Sequence, residues 1–203
     1  MSAECRAKIV KKKLQRRLLR RMFAAGTVIG SGETSQLASV ARDILTAAGI
    51  AFEGLVSRAN GQDPPDCEAI VDGRLAGIEV TELVHQKTLE RSLKAQKDRA
   101  EGREPQNPEA YFVWDRPELL RALQVCISVK DRVEPKGGPY SRYILVIHTD
   151  ETFLEAAKVE QWLIGATFPT NRITDVLLGL SYEPDQGRCP VFKLRVCRCD
   201  QEG

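Results

Sequence analysis

Two carboxylates, Asp66 and Glu79, stand where a short turn brings them face to face. The segments CEAIV and LAGIEVTEL are separated by Asp72-Gly73, a dipeptide that strongly favours a two-residue hairpin turn. With Val71 and Arg74 flanking that turn, every directly opposed pair shares their residue-number sum, so Asp66 opposes Glu79. Opposed strand residues lie on one face with Cβ atoms about 4.5–5.5 Å apart, and like charges so placed repel. A hard divalent cation removes that penalty, because Mg²⁺ is held by one or two carboxylates and completed by phosphate oxygens and water. Glu68 falls on the same face opposite Gly77, whose missing side chain is expected to leave open space. Ile78 and Val80 point the other way into an apolar core, which pins the register.

The elements that must position this hairpin are legible along the chain. Thr34 and Ser35 are good N-cap types, and QLASVARDILTAAG shows helical periodicity through Leu37, Val40, Ala41, Ile44, Leu45 and Ala48, with Gly49 as the stop. IAFEGLVS at 50–57 alternates as a strand, and NGQDPPD at 60–66 is a loop. Beyond the hairpin, HQKTLERSLKAQKDRAEG reads as a charged helix ending near Gly102, and a second helix spans roughly 117–131. RYILVIH is an uninterrupted apolar strand of the buried kind. Asp150 is expected to cap a helix over TFLEAAKVEQWLIG, and ITDVLLGLSY and VFKLRVCRC are expected strands. This order predicts an α/β fold, a mixed central sheet flanked by helices.

Pro65-Asp66 followed across a hairpin by Glu79-Val80-Thr81 resembles the PD-(D/E)xK, or restriction-endonuclease-like, nuclease superfamily. The resemblance covers about residues 34–148 and holds in element order as well as motif. It implies a restriction-endonuclease-like core, here with an extra C-terminal helix and strands. It further implies Mg²⁺ or Mn²⁺ held by Asp66, Glu79 and the Val80 carbonyl, activating water for attack on a phosphodiester. The family's lysine should stand two residues after Glu79, where this chain has Thr81. Lys87, Arg91 and Lys94 follow at helical spacing, and Lys87 is the expected catalytic substitute; a solvated charged face is the other explanation of that stripe. Supporting roles fall to Glu68, Thr81 and Glu82, and, for the acidic residue often found on the family's first helix, to Glu33 or Gln36. The expectation is a metal-dependent nuclease acting on nucleic acid, DNA first; the alternative is an inactive member of the fold serving as a nucleic-acid-binding or interaction module. Exposed strand charges would account for Glu79 and Glu82 equally, but Glu79 lies among apolar residues in GIEVTEL.

Composition and charge bound the rest. Of 203 residues, 29% are charged and 42% hydrophobic, ordinary globular values that point away from disorder or a disulfide scaffold. The net charge of +2 hides an asymmetry: residues 1–22 hold nine Lys/Arg against one Glu, the remainder 21 against 27. Residues 1–25 are therefore expected to form a basic arm and 26–203 one domain. In the arm, Lys11, Lys12, Lys13, Arg16, Arg17, Arg20 and Arg21 are the expected nucleic-acid contacts. No apolar run reaches the roughly 18 residues a spanning helix needs, so a cytoplasmic protein with no membrane partner is expected, a homo-oligomer being left open. Six cysteines without a CxxC pair form no zinc or redox motif by spacing. The two histidines, His85 and His148, read as a cap or surface group and a strand-end residue. GSGETS lacks the GK[ST] ending of a phosphate-binding loop.

Overall fold

The computed structural model describes residues 32–59, 61–85, 90, 94–95, 97–104, 113–151, 154–181 and 189–198. Asp72 and Gly73 both take positive φ, 53° and 71°, the pairing that lets a two-residue turn follow the natural twist of its strands. The turn joins β2 (Cys67–Val71) to β3 (Arg74–Glu82) in antiparallel register, from Val71 opposite Arg74 to Cys67 opposite Ile78. β1 (Phe52–Ser57) borders β2, with an irregularity between Glu53 and Val56.

On its other side β3 pairs in parallel with β4 (Arg142–His148), and β4 in parallel with β6 (Asp175–Gly179). β7 (Val191–Leu194) closes the far edge antiparallel to β6, giving a mixed six-stranded sheet in the order β1-β2-β3-β4-β6-β7. A parallel step from β3 to β4 needs a long crossover. It contains α2 (Arg116–Asp131), after the helix α1 (Gly32–Ala47) that precedes β1.

The two helices cover opposite faces. Ala41, Ile44 and Leu45 of α1 pack on Cys67, Ala69, Ile78, Val80, Ile144 and Val146, while Leu119, Leu123 and Ile127 of α2 pack on Tyr143, Leu145 and Ile147. Alternation along a strand enforces this split. Each of the three α2 side chains is fully buried, worth about 1.5–3 kcal/mol apiece. Glu79, two residues from Gly77 and Thr81, therefore lies on the α2 face.

Three local expectations change. Helix α1 begins at Gly32, ahead of Thr34 and Ser35. Asp150 is not a cap: helix α3 spans only Ala156–Leu163, with Glu155 at its N-cap. The chain leaves β4 in a turn in which the Thr149 hydroxyl donates to the Leu83 carbonyl at 2.9 Å and accepts from the Glu151 N–H at 3.2 Å. The C-terminal strand divides at Arg195, whose carbonyl accepts from Phe168 N–H at 2.9 Å. Its second part, β8 (Val196–Arg198), pairs in parallel with β5 (Phe168–Thr170) in a separate two-stranded sheet. A three-residue strand is too short to leave a period in sequence. Among the described residues no helix is long and apolar enough to cross a membrane.

Candidate functional site

Asp66 lies one residue before β2 and continues its register toward Glu79. Here the side chain takes over from the backbone ladder: Asp66 Oδ2 accepts the Val80 N–H at 2.8 Å. Its own carbonyl accepts from Arg58 N–H at 2.9 Å, tying the residue to the end of β1. A strand residue directs its N–H and C=O to the same edge, so the Val80 carbonyl also faces the Asp66 side of β3.

Glu79, on an inner strand under α2, is 5% exposed. Its Oε1 accepts a hydrogen bond from Lys130 Nζ, and its Oε2 is buried with no hydrogen-bond partner among the described residues. Burial raises the Glu79 carboxyl above the ordinary range, and the neighbouring Asp66 charge raises it further, against the opposing pull of Lys130. Burial likewise raises Asp66, against the Val80 hydrogen bond and Lys130.

Lys130 is the residue the sequence reading missed. It is carried by the last turn of α2, a helix well defined at both ends. Asp115 caps its start by accepting from Glu118 N–H at 2.8 Å, and Pro117 lies in the first turn. Leu119, Leu123 and Ile127 recur every four residues on the buried face, and Lys130 follows at the flank of that stripe. At the other end, buried Asp131 accepts from the N–H groups of Asn171, Arg172 and Ile173 at 2.7, 2.9 and 2.9 Å. That carboxylate clamps the end of α2 to the chain entering β6, and so holds Lys130 over the sheet. The one sequence signal for Lys130 is its place at the border of an apolar helical stripe.

The other expected site residues are distributed as follows. Glu68 does oppose Gly77, but the space over the glycine is filled. A Cβ at Gly77 would come within 3.0 Å of the Tyr143 ring and 3.1 Å of Pro65, so glycine is needed for close packing rather than for an opening. Glu68 itself is held by Arg58, Nε to Oε1 at 3.3 Å, and accepts from the Tyr140 hydroxyl. Thr81 is half-buried on the Glu79 face, and Glu82 follows it at the end of β3. Gln36 is exposed on α1, which covers the opposite face, and Lys94 is exposed. Lys87, Arg91, the Glu33 side chain and the arm residues Lys11, Lys12, Lys13, Arg16, Arg17, Arg20 and Arg21 lie outside the described residues.

A hard divalent cation fits this donor set. Glu79 Oε2 is a buried oxygen lacking a partner among the described residues, Asp66 and Val80 offer further oxygens on the same edge, and all the donors are hard. Among the described residues there is no group of three or more His, Cys, Asp or Glu side chains set to hold a metal. Such an ion would therefore depend on the Val80 carbonyl, water and substrate oxygens, as Mg²⁺ commonly does. No protein-family model, curated protein or solved structure matches this chain.

Proposed function

We propose that this chain is a divalent-metal-dependent nuclease of the PD-(D/E)xK type, hydrolysing phosphodiester bonds in nucleic acid, DNA first. In this reading Lys130 takes the place of the motif lysine missing at Thr81. The observation that carries it is the Lys130 ammonium on Glu79 Oε1, beside an Asp66 that the Val80 N–H ties to the same strand. The same fold type is supported by the order of elements: a helix, a strand, the hairpin, a helical crossover and a parallel apolar strand.

Each residue has a distinct task. Asp66 and Glu79, with the Val80 carbonyl, would hold Mg²⁺ or Mn²⁺. When bound, the ion supplies a Lewis acid for the phosphate and lowers the pKa of a water molecule. Asp66 is aimed by the Val80 N–H, which engages its Oδ2. Lys130 fixes the Glu79 carboxylate and brings a positive charge to the place where a phosphate would gain negative charge, the setting in which a preorganised cation helps most. Glu68 is committed to Arg58 and Tyr140 and supports the hairpin's outer side rather than the ion.

The test is cleavage of single- and double-stranded DNA and of RNA by purified variants, with an EDTA control. Asp66→Asn and Glu79→Gln should abolish cleavage, Lys130→Met should slow it by about 10²–10³-fold, and Thr81→Ala should be tolerated. Thr81→Lys introduced into the Lys130→Met chain should restore part of the rate, because it returns the cation to the strand position that the motif uses. Cleavage that survives Asp66→Asn would refute the assignment. An intact, folded chain that cuts no substrate would leave the fold with a binding role instead.

A further inference from the structure

An open pocket of about 450 Å³ lies between the chain leaving β3 and the outer flank of α2, within the range that binds small ligands. Leu83 and Trp114 line its inner side, with the Trp114 ring set edge-on to His85 at 5.1 Å. Ala122, Val125 and Cys126 form the α2 wall. Cys126 precedes Lys130 by one helical turn, roughly 6 Å along the axis, so the α2 wall of the pocket ends one turn short of the Glu79–Lys130 pair.

From this proximity we infer that the pocket receives a single unpaired nucleobase of the strand whose neighbouring phosphate lies at Lys130. The inference rests on the nuclease reading and names its substrate class: single-stranded nucleic acid, or a duplex with unpaired nucleotides. The chemistry of the rim decides which part of a nucleotide enters. Among the described residues of the rim, Glu82 and Glu118 outnumber Arg121, so this part of it is net acidic and disfavours a phosphate. Carboxylates accept from exocyclic base amines such as that of cytosine, and a guanidinium donates to base acceptors. The apolar walls suit the faces of a flat ring. A base stacked within a duplex cannot reach such a pocket without leaving its stack, at a cost of a few kcal/mol.

The experiment measures binding of dCMP, dAMP, ribose 5-phosphate and inorganic phosphate by NMR shift titration, together with cleavage of matched single- and double-stranded oligonucleotides. Wild type should bind dCMP or dAMP at least tenfold more tightly than ribose 5-phosphate or phosphate, and should cut the single strand at least tenfold faster than the duplex. Ala122→Trp, which fills the pocket, should remove both preferences; Arg121→Ala, at an exposed position, should weaken them should the Trp variant fail to fold. Asp66→Asn should retain nucleotide binding. Nucleotide binding that Ala122→Trp abolishes, in a wild-type chain that cleaves nothing, would sink the nuclease reading while supporting the pocket. Cleavage with no preference for nucleotide over phosphate, or binding unchanged by filling the pocket, would overturn the pocket assignment alone.

Discussion

Two buried carboxylates in the same sheet are treated in opposite ways. Asp175, at the start of β6, receives Arg142 through two hydrogen bonds of 3.1 and 2.8 Å, the Thr174 hydroxyl at 2.8 Å and Lys193 Nζ at 3.2 Å. Burial pushes its carboxyl up, but these partners outweigh burial and hold it below the ordinary range. Among the described residues Glu79 has one basic partner, one oxygen with none, and a second carboxylate beside it, and it is pushed up. Arg142 also reaches Asp72 at the hairpin turn, so the Asp175 cluster ties three parts of the fold together. A satisfied charge cluster of that kind holds structure. An unsatisfied one costs stability and is kept where function requires it.

The largest expected effect lies on the satisfied side. Arg142→Met leaves the Asp175 carboxylate short of its principal partner and should cost about 3 kcal/mol. For a chain of this size that is a fall of roughly 6–12 °C in Tm, read by thermal denaturation. A fall no larger than that of Lys130→Met would erase the distinction between the two regions.

The next effect belongs to the unsatisfied side. Mg²⁺ or Mn²⁺ at about a hundred times its Kd should stabilise the wild type by about 2.7 kcal/mol, since a ligand specific to the folded state adds its binding free energy. Asp66→Ala should lose the response and Asp175→Asn should keep it.

A smaller effect has the opposite sign from most substitutions of buried polar groups. Without metal at pH 8, Asp66→Asn should raise stability by about 1 kcal/mol, because the amide oxygen still accepts from Val80 and the repulsion with Glu79 is gone. The pH dependence follows from the raised carboxyls of Asp66 and Glu79. A folded-state pKa above the unfolded value means that the folded chain gains stability as pH falls through the folded pKa and loses it as pH rises through that value. Asp66→Asn should flatten this slope above pH 4.5, the ordinary Glu value. Asp175, held low, should act in the reverse sense, its stabilisation fading only as pH drops below the ordinary Asp value of 3.8.

The smallest effect is expected for Lys130→Met. Glu79, already pushed toward its neutral form by burial, can take up a proton instead of remaining charged, so stability should change less than in the other variants while cleavage falls sharply. A large loss of stability would move the Lys130–Glu79 pair into the same structural class as Arg142–Asp175.

What the sequence determined by itself is the hairpin and its register. A two-residue Asp-Gly turn leaves one pairing open to the strands, and the apolar alternation of Ile78 and Val80 rules out a slip, so Asp66 and Glu79 are matched by local chemistry alone. The periodic stripe of α2 and the unbroken apolar run of β4 were legible as well, since burial of one helix face, or of both faces of a strand, marks a single element along its own length. Tertiary packing decided the rest. Lys130 reaches Glu79 across 51 positions of sequence, through a helix whose end is set by Asp131 gripping the Asn171–Ile173 backbone. Gly77 reads as an opening in sequence and is a packing contact with Tyr143 and Pro65 in space. Whether a lysine meets a carboxylate, or a ring covers a glycine, depends on which elements the sheet brings side by side, and long-range contacts of that kind leave no period or spacing to read.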